Sequence, residues 1–220
     1  MGSPQETYDP NQTYLVDHVG GNWLIRGNMP LNDDGTFAYT ALNEKLKTLL
    51  PEGFDLSMMT VIDVSLIDNQ GELPSLECEF TSFGAGTPPT AWQPYPAGIL
   101  FNGYGDGSVQ GDGVSGMGSL LWMPIQGCDE GQCEVQETTL YDFDGVVSYI
   151  RGILTSNVSN QLLYIHCMNG HDRAGSLTCG YQMKYLGISM ADAMAEGEKI
   201  MGHSWHHPYK HLIEWYAGTL

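Results

Sequence analysis

A cysteine and an arginine, Cys167 and Arg173, are separated by five residues in the last third of the chain. An apolar run over residues 162–165 precedes the cysteine and is typical of a buried strand. The arginine opens a stretch with helical spacing, so the chain passes from strand through a short loop to a helix N-terminus. Backbone N–H groups and the helix dipole attract anions at such a junction. A thiolate there is a nucleophile for phosphorus, and a guanidinium binds phosphoryl oxygens in pairs. The segment therefore predicts phosphate chemistry.

This segment resembles the signature of the protein tyrosine phosphatase superfamily, His-Cys-x5-Arg. Residues 166–173 match it, including the inner Gly170, and Gly175 follows in the predicted helix. The wider sequence is most similar to the compact dual-specificity branch. The resemblance is convincing over residues 120–190, weaker over 20–66 and absent over 67–118. It implies a phosphatase for phosphotyrosine, phosphoserine or phosphothreonine in proteins, or for small phosphomonoesters, with a cysteinyl-phosphate intermediate and neither cofactor nor metal.

The resemblance also implies roles for individual residues of the loop. Cys167 would attack phosphorus, Arg173 would hold the equatorial oxygens of the transition state, and His166 would brace the loop. The phosphoryl group would be bound by the residues that follow the cysteine: Met168, Asn169, Gly170, His171, Asp172 and Arg173.

One position departs from the family pattern. Family members carry Ser or Thr directly after the arginine, where the hydroxyl eases departure of the cysteine thiolate. This chain has Ala174 there, and the next hydroxyl belongs to Ser176. Either Ser176 substitutes for the missing hydroxyl or the intermediate breaks down slowly. A catalytically weak phosphate-binding pseudophosphatase is therefore one alternative function.

Two further alternatives concern the substrate. A basic residue at the position of His171 resembles the lipid-phosphatase subset, which makes a phosphoinositide or inositol-phosphate phosphatase an alternative. A net charge of −18 opposes polyanionic substrates at long range. A sulfurtransferase loop also presents a cysteine in an anion cradle, but His166 and the pattern of residues 170–173 argue against that activity.

The general acid is expected on a mobile loop about 30–40 residues before the nucleophile, where it would protonate the leaving oxygen. Family members carry this Asp after an Ile-Pro strand, and residues 122–130 resemble that arrangement. Asp129 is the first choice. The other candidates are Glu130, Asp142, Asp144 and Asp172.

The bulk composition limits the class of protein. The chain has 26 acidic and 8 basic residues, and 42% of its residues are hydrophobic. A globular domain is expected, and nucleic-acid binding is disfavoured because the charge repels phosphate backbones. The sequence contains no run of about 18 apolar residues, so we expect no membrane span.

The cysteines and glycosylation sequons leave the cellular compartment open between cytoplasmic and secreted or lysosomal. Cys128 and Cys133 lie close enough in sequence for a small disulfide loop. Sequons at Asn11 and Asn157 would suit an exported protein. Cytosolic phosphatases, by contrast, keep free thiols.

The elements predict a single α/β domain with a central, mostly parallel sheet flanked by helices. Residues 1–20 are interpreted as an N-terminal arm, and residues 21–220 as the phosphatase-like domain. Residues 67–118, rich in Gly and Pro, are interpreted as a long insertion that either shapes substrate access or packs locally. Strands are predicted at 22–30, 58–64, 120–125 and 162–166, and helices at 36–50, 143–156, 173–186, 189–201 and from 208 onward.

Four histidines cluster in sequence around Trp205. His207 and His211 could place two metal ligands on one helical face. No acidic or cysteine partner stands nearby in the sequence, so a surface cluster is the favoured interpretation. The two remaining histidines of this cluster are His203 and His206.

Overall fold

The computed structural model describes residues 3–69, 71–89, 104–125 and 143–220. Within them the chain forms one six-stranded sheet with the order β1-β2-β6-β3-β5-β4. The strands are β1 (Tyr14–Val19), β2 (Asn22–Gly27), β3 (Thr60–Ser65), β4 (Ser108–Gly111), β5 (Val114–Trp122) and β6 (Gln161–His166).

The four inner strands of the sheet run parallel, and the two edge strands are antiparallel to their neighbours. His166 at the end of β6 pairs with Gly27 on one side and with Ser65 on the other. Ser65 pairs in turn with Trp122. The carboxyl ends of four strands therefore meet at one edge of the sheet, where ligands bind in open α/β sheets. The predicted single α/β domain with a mostly parallel sheet is confirmed.

Six α-helices flank this sheet among the described residues. They are α1 (Tyr39–Leu49), α2 (Leu73–Ser82), α3 (Phe143–Leu154), α4 (Asp172–Tyr181), α5 (Met190–Met201) and α6 (His207–Ala217). No helix within these ranges is long and apolar enough to cross a membrane.

The helix boundaries follow from local chemistry. Ser189 caps α5 by accepting a hydrogen bond from the backbone N–H of Asp192, and Gly202 ends the same helix in a left-handed conformation. Pro208 occupies the first turn of α6, where its missing N–H costs nothing. A π-helical turn, Gln182–Leu186, extends α4 before Gly187 stops it. These caps lie where the sequence predicts them.

Two segments differ from the sequence interpretation. Residues 14–19, placed in the arm, form the edge strand β1 and pair with β2. The segment 67–118, interpreted as an insertion, contains α2, β4 and most of β5. It therefore contributes to the sheet itself, while its residues 90–103 lie outside the described part of the chain.

The glycine-rich character of β5 has a packing cause. A side chain at Gly116 would collide with the ring of Tyr39, and one at Gly118 would press on Phe83 and Val109. Aromatic rings lie directly on the strand, so only glycine fits beneath them. Composition alone makes this stretch look like a loop, although it is a strand.

Candidate phosphate-binding site

The phosphate loop, residues 167–173, leaves the sheet at the end of β6 and enters α4. Gly170 lies inside it with a φ of +68°, which favours glycine. A side chain there would also collide with the backbone of Gly27 and Asn28. The backbone N–H of Met29 donates to the carbonyl of Met168 over 3.0 Å. The exit from β2 therefore packs tightly against the loop and holds its shape.

Arg26, at the end of β2, braces the outer side of this loop. It is buried, its Nε donates to the Gly170 carbonyl over 2.9 Å, and its Nη2 donates to the His171 carbonyl over 3.2 Å. Carbonyls bound from outside leave the loop N–H groups free to turn inward. Sequence reasoning did not assign this role, because β2 is far from the loop along the chain.

Cys167 lies at the floor of the loop and Arg173 on its wall. The cysteine is 3% exposed and the arginine 7% exposed. The dipole of α4, which begins at Asp172, is directed at the same point. The structure thus brings a thiol, a helix N-terminus and a guanidinium together, as the sequence predicts.

Glu72, just before α2, fixes the guanidinium of Arg173. Its two carboxylate oxygens accept from Nη1 over 2.7 Å and from Nη2 over 2.5 Å. Nη1 also donates to the carbonyls of Leu66 and Ile125, over 3.2 and 3.4 Å. Burial would lower the pKa of Arg173, but the hydrogen bonds and charge of Glu72 raise it. Among these contacts Nε is unused, and it can face an anion together with the second Nη2 proton.

The sequence analysis missed Glu72, because it lies in the segment interpreted as an insertion. The one indication in the sequence is Arg173 itself. A guanidinium buried in the protein requires a carboxylate partner elsewhere in the chain. Nothing in one sequence tells which of 26 acidic residues supplies it.

His166 lies behind the loop, between two buried carboxylates. Its Nε2 is 2.7 Å from Oε1 of Glu79 and 3.1 Å from Oδ1 of Asp63, and all three side chains are fully buried. The Nε2 N–H is directed at neither oxygen, so the three side chains form an ion-pair cluster in place of a directed hydrogen bond. Nδ1 lies 3.4 Å from the Cys167 carbonyl. This contact places the cluster directly against the backbone of Cys167.

Burial and the neighbouring charges shift the pKa values of His166 and Glu79. Burial alone would lower the pKa of His166, but Asp63 and Glu79 raise it well above its usual range. Burial raises the pKa of Glu79 despite the neighbouring histidine. The same three residues are the group among the described residues whose ligand atoms converge closely enough to hold a metal ion. The separations of 2.7 and 3.1 Å match ion pairing, and we interpret the group as a protonated histidine between carboxylates.

Ser176 is fully buried, and its hydroxyl donates to the carbonyl of Arg173 over 2.9 Å. The side chain satisfies a helix carbonyl of α4 instead of pointing along the loop. Ala174 is also fully buried. The Ser176 hydroxyl is therefore already engaged within α4.

His171 and Asp172 form the outer rim of the loop together with the segment between α5 and α6. Nδ1 of His171 lies 3.3 Å from Nε2 of His203. Oδ2 of Asp172 lies 2.8 Å from Nδ1 of His206. Asn169 is exposed at the mouth of the loop. Two of the four clustered histidines therefore lie beside the site, while the rings of His207 and His211 stack on each other elsewhere on α6.

The expected general acid, Asp129, lies outside the described residues, as do Glu130, Asp142 and the pair Cys128 and Cys133. Asp144 is described, and it binds Lys184 over 2.6 Å and the Tyr216 hydroxyl over 2.5 Å. These contacts tie α3 to the C-terminal helices, which gives Asp144 a structural role. Asp172 is the described candidate that lies within the loop.

Comparisons with known proteins give structural neighbours only. No protein-family model and no curated protein sequence matches the chain. Human tyrosine phosphatase-like serine/threonine/tyrosine-interacting protein is 12% identical, with a TM-score of 0.47, over 93% of this chain and 96% of that one. The protein tyrosine phosphatase TbPTP1 of Trypanosoma brucei is 12% identical, with a TM-score of 0.46, over 93% and 71%. Tk-PTP in its active form is 12% identical, with a TM-score of 0.47, over 94% and 97%.

Proposed function

We propose that this chain is a cysteine-dependent phosphatase that hydrolyses phosphomonoesters in phosphorylated proteins through a cysteinyl-phosphate intermediate. The observation that carries the proposal is the joint position of Cys167 and Arg173. The thiol lies at the floor of a loop that ends at a helix N-terminus, and Glu72 holds the guanidinium beside it. A fixed cation and converging N–H groups stabilise charge on a phosphoryl group without reorganising during the reaction.

The reaction would proceed in two displacements. The thiolate of Cys167 attacks phosphorus, and the bond from phosphorus to the ester oxygen breaks. Asp129 donates a proton to that oxygen, which leaves as an alcohol or phenol. Water then attacks the cysteinyl phosphate, Asp129 takes its proton, and the sulfur–phosphorus bond breaks to release phosphate. Arg173 and the loop N–H groups hold the equatorial oxygens in both steps.

Asp129 is proposed from its position in the sequence. It follows Ile125 by four residues, and the carbonyl of Ile125 accepts from Arg173 within the site. Because the backbone contacts the site at Ile125, a carboxyl group four residues later is a candidate proton donor for the leaving oxygen.

A phosphate-binding module with little turnover is the second candidate function. The burial of Ser176 and its bond to the Arg173 carbonyl favour it, since the Ser176 hydroxyl is then not presented to the departing thiolate. In that case attack by Cys167 is retained, and the second step limits the rate.

Turnover of p-nitrophenyl phosphate and of a phosphotyrosine peptide tests the proposal. Cys167→Ser is expected to lower kcat on the order of a thousandfold or more, because the nucleophile is lost. Asp129→Asn is expected to lower kcat for the peptide by about a hundredfold or more, and for p-nitrophenyl phosphate by less. The reason is that nitrophenolate leaves without full protonation. Asp33→Asn, an exposed carboxylate, is the matched control.

Pre-steady-state kinetics separates the two candidates. A burst of nitrophenol equal to the enzyme concentration, followed by slow turnover, shows attack with slow hydrolysis of the intermediate. That result supports the second candidate, whereas steady turnover without a slow second step supports the phosphatase. Neither burst nor turnover, with inorganic phosphate still bound, would exclude attack by Cys167 and leave a module that only binds phosphate.

A further inference from the structure

Residues 5–13, which precede β1, lie against the elements that surround the phosphate loop, and we call this segment the strap. Its hydrogen bonds reach three separate places: the turn before α2, the exit of β2 and the rim of the phosphate loop. Each end of the strap is therefore tied to a part of the candidate site.

The first end of the strap holds the turn that carries Glu72. The backbone N–H of Gln5 donates to the hydroxyl of Ser75 over 2.9 Å, and Nε2 of Gln5 donates to the carbonyl of Gly71 over 3.0 Å. Ser75 is fully buried. Gly71 and Ser75 stand on either side of Glu72 in the chain, so Gln5 fixes the backbone from which this carboxylate reaches Arg173.

The middle of the strap pairs with the exit of β2. The buried side-chain amide of Asn28 accepts from the N–H of Asp9 over 3.0 Å and donates to the carbonyl of Thr7 over 2.8 Å. The N–H of Tyr8 donates to the carbonyl of Leu31 over 2.7 Å. Both ends of the buried amide are thus satisfied by the strap, which fixes the strap beside the segment that packs on the phosphate loop.

The second end of the strap reaches the rim of the phosphate loop. Oε1 of Gln12 lies 3.3 Å from Nε2 of His171. The next residue, Thr13, is 1% exposed, and its hydroxyl lies 2.9 Å from that of Tyr8. This buried contact within the strap holds Gln12 in place against the loop.

The phosphate loop and the turn before α2 are therefore connected twice. The direct connection is the pair of hydrogen bonds between Arg173 and Glu72. The second runs from His171 through the strap to Gly71 and Ser75. Two connections between the same elements close a ring of contacts, and opening the ring at any one point removes the constraint. Contacts that share one constraint are coupled, so the effects of breaking them are not additive.

We propose that Gln5 and Gln12 are positioning residues, which hold the turn before α2 at a fixed distance from the phosphate loop and so keep the guanidinium of Arg173 aligned with the phosphoryl group. The proposal rests on the phosphatase function, since alignment is measured as a rate. Neither glutamine contacts the reacting atoms: Gln5 acts through the backbone around Glu72, and Gln12 through His171. Small displacements of a catalytic group lower the rate strongly, which makes this alignment measurable.

The test is a double-mutant cycle across the two ends of the strap. Gln5→Ala is expected to lower kcat for p-nitrophenyl phosphate about fivefold, because one hydrogen bond of the ring is lost, and Gln12→Ala should do the same from the other end. Since either change opens the same ring, the double variant should also lose about fivefold, whereas two independent contacts would lose about 25-fold. KM should change by less than about twofold, because the N–H groups of the loop are unaltered.

Asn11→Ala is the matched control, because it alters an exposed side chain between the two ends of the strap and should leave kcat unchanged. Urea denaturation of all four variants shows whether the fold is retained. A loss of about 25-fold in the double variant would overturn the proposal, since the two glutamines would then act separately. Values of kcat for Gln5→Ala and Gln12→Ala equal to that of Asn11→Ala would overturn it as well.

Amide hydrogen exchange tests the strap without turnover. In Gln5→Ala the amides of residues 167–173 should exchange about fivefold faster than in the wild type, because the loop and α2 are no longer tied through the strap. Faster exchange in a chain without phosphatase activity would support the strap and refute the phosphatase. Turnover by the wild type, with exchange and kcat unchanged in both glutamine variants, would refute the strap and leave the phosphatase.

Discussion

The position of His166 between two carboxylates makes the residue before Cys167 part of the charge balance of the site. Asp63 and Glu79 are both fully buried beside it. Two buried carboxylates cannot both be ionised beside one imidazolium without leaving an uncompensated charge, which is costly in the interior. Burial raises the pKa of the Glu79 carboxyl, and we infer that the two carboxyl groups together carry the single negative charge that balances His166.

Asp63→Asn is expected to lower the free energy of unfolding by about 3 kcal/mol, because it removes one of the two buried carboxyl groups that pair with His166. Asp33→Asn makes the same chemical change at an exposed position and should alter stability little. Urea denaturation at neutral pH measures both. A loss no larger than that of Asp33→Asn would show that Asp63 does not balance the charge of His166.

The pH dependence of stability follows from the same cluster. The pKa of His166 is higher in the folded protein than in the unfolded chain, so its contribution is fully present below about pH 6.5 and is lost as pH rises through the folded value. Asp63→Asn lowers that folded pKa, and the alkaline loss of thermal stability should begin at lower pH than in the wild type. Scanning fluorimetry from about pH 6 to about pH 10 measures the shift. An unchanged loss of stability at alkaline pH would show that Asp63 does not raise the pKa of His166.

For individual residues, the sequence predicts contacts only between residues that belong to one continuous segment. Cys167 and Arg173 could be assigned because the loop that holds them is one continuous segment. Arg26 and Glu72 could not, because only the fold brings them to the loop. Asp63 gives a weaker indication. Its carboxylate lies inside the apolar strand Thr60–Ser65, so the sequence predicts that it has a buried partner. The sequence does not show which partner it is.

The helix α2 and its preceding turn act as the element that orients the guanidinium. Glu72 contacts Arg173 through both carboxylate oxygens, and Glu79 on the same helix contacts His166. One element thus supports both sides of the phosphate loop. Displacement of α2 would move Arg173 and His166 together.

Glu72→Gln is expected to lower kcat for p-nitrophenyl phosphate about tenfold to a hundredfold, because a misplaced guanidinium no longer matches the transition state. KM and the inhibition constant of inorganic phosphate should change less, since removing the carboxylate also removes a competing negative charge. Glu77→Gln, an exposed residue of α2, controls for the loss of a carboxylate from this helix. Equal kcat values for the two variants would show that Glu72 does not position Arg173.

Elements were predictable where their pattern is regular. The buried strand β6, the helix α3 and the caps of α5 have strong periodicity or capping residues, and the structure places them within a few residues of the prediction. The strand β5 was predicted only at its apolar end. Its first half carries Gly116 and Gly118, which are required by the rings of Tyr39 and Phe83 from distant segments. A tertiary contact of this kind leaves no local signal.

The whole molecule combines a site for anions with a strongly acidic chain. The net charge of −18 is spread over the sequence, while Arg26 and Arg173 are buried at the loop. An approaching phosphate is therefore repelled at long range and attracted only near the loop, where the guanidinium and the α4 dipole lie. The carboxylates that are in excess also repel one another within the folded chain.

This self-repulsion predicts that salt stabilises the protein. Raising sodium chloride from about 20 mM to about 200 mM shortens the screening length from about 20 Å to about 7 Å, which weakens repulsion between surface carboxylates. A gain of about 1 kcal/mol corresponds to an increase in Tm of about 2–4 °C for a chain of this size. Scanning calorimetry measures it, and lithium chloride and potassium fluoride at equal ionic strength control for specific ion binding. Repulsive pairs of surface charges should outnumber attractive pairs, because the chain has 26 acidic and 8 basic residues. A Tm that falls or stays constant as salt is added would show that repulsion between surface charges does not dominate.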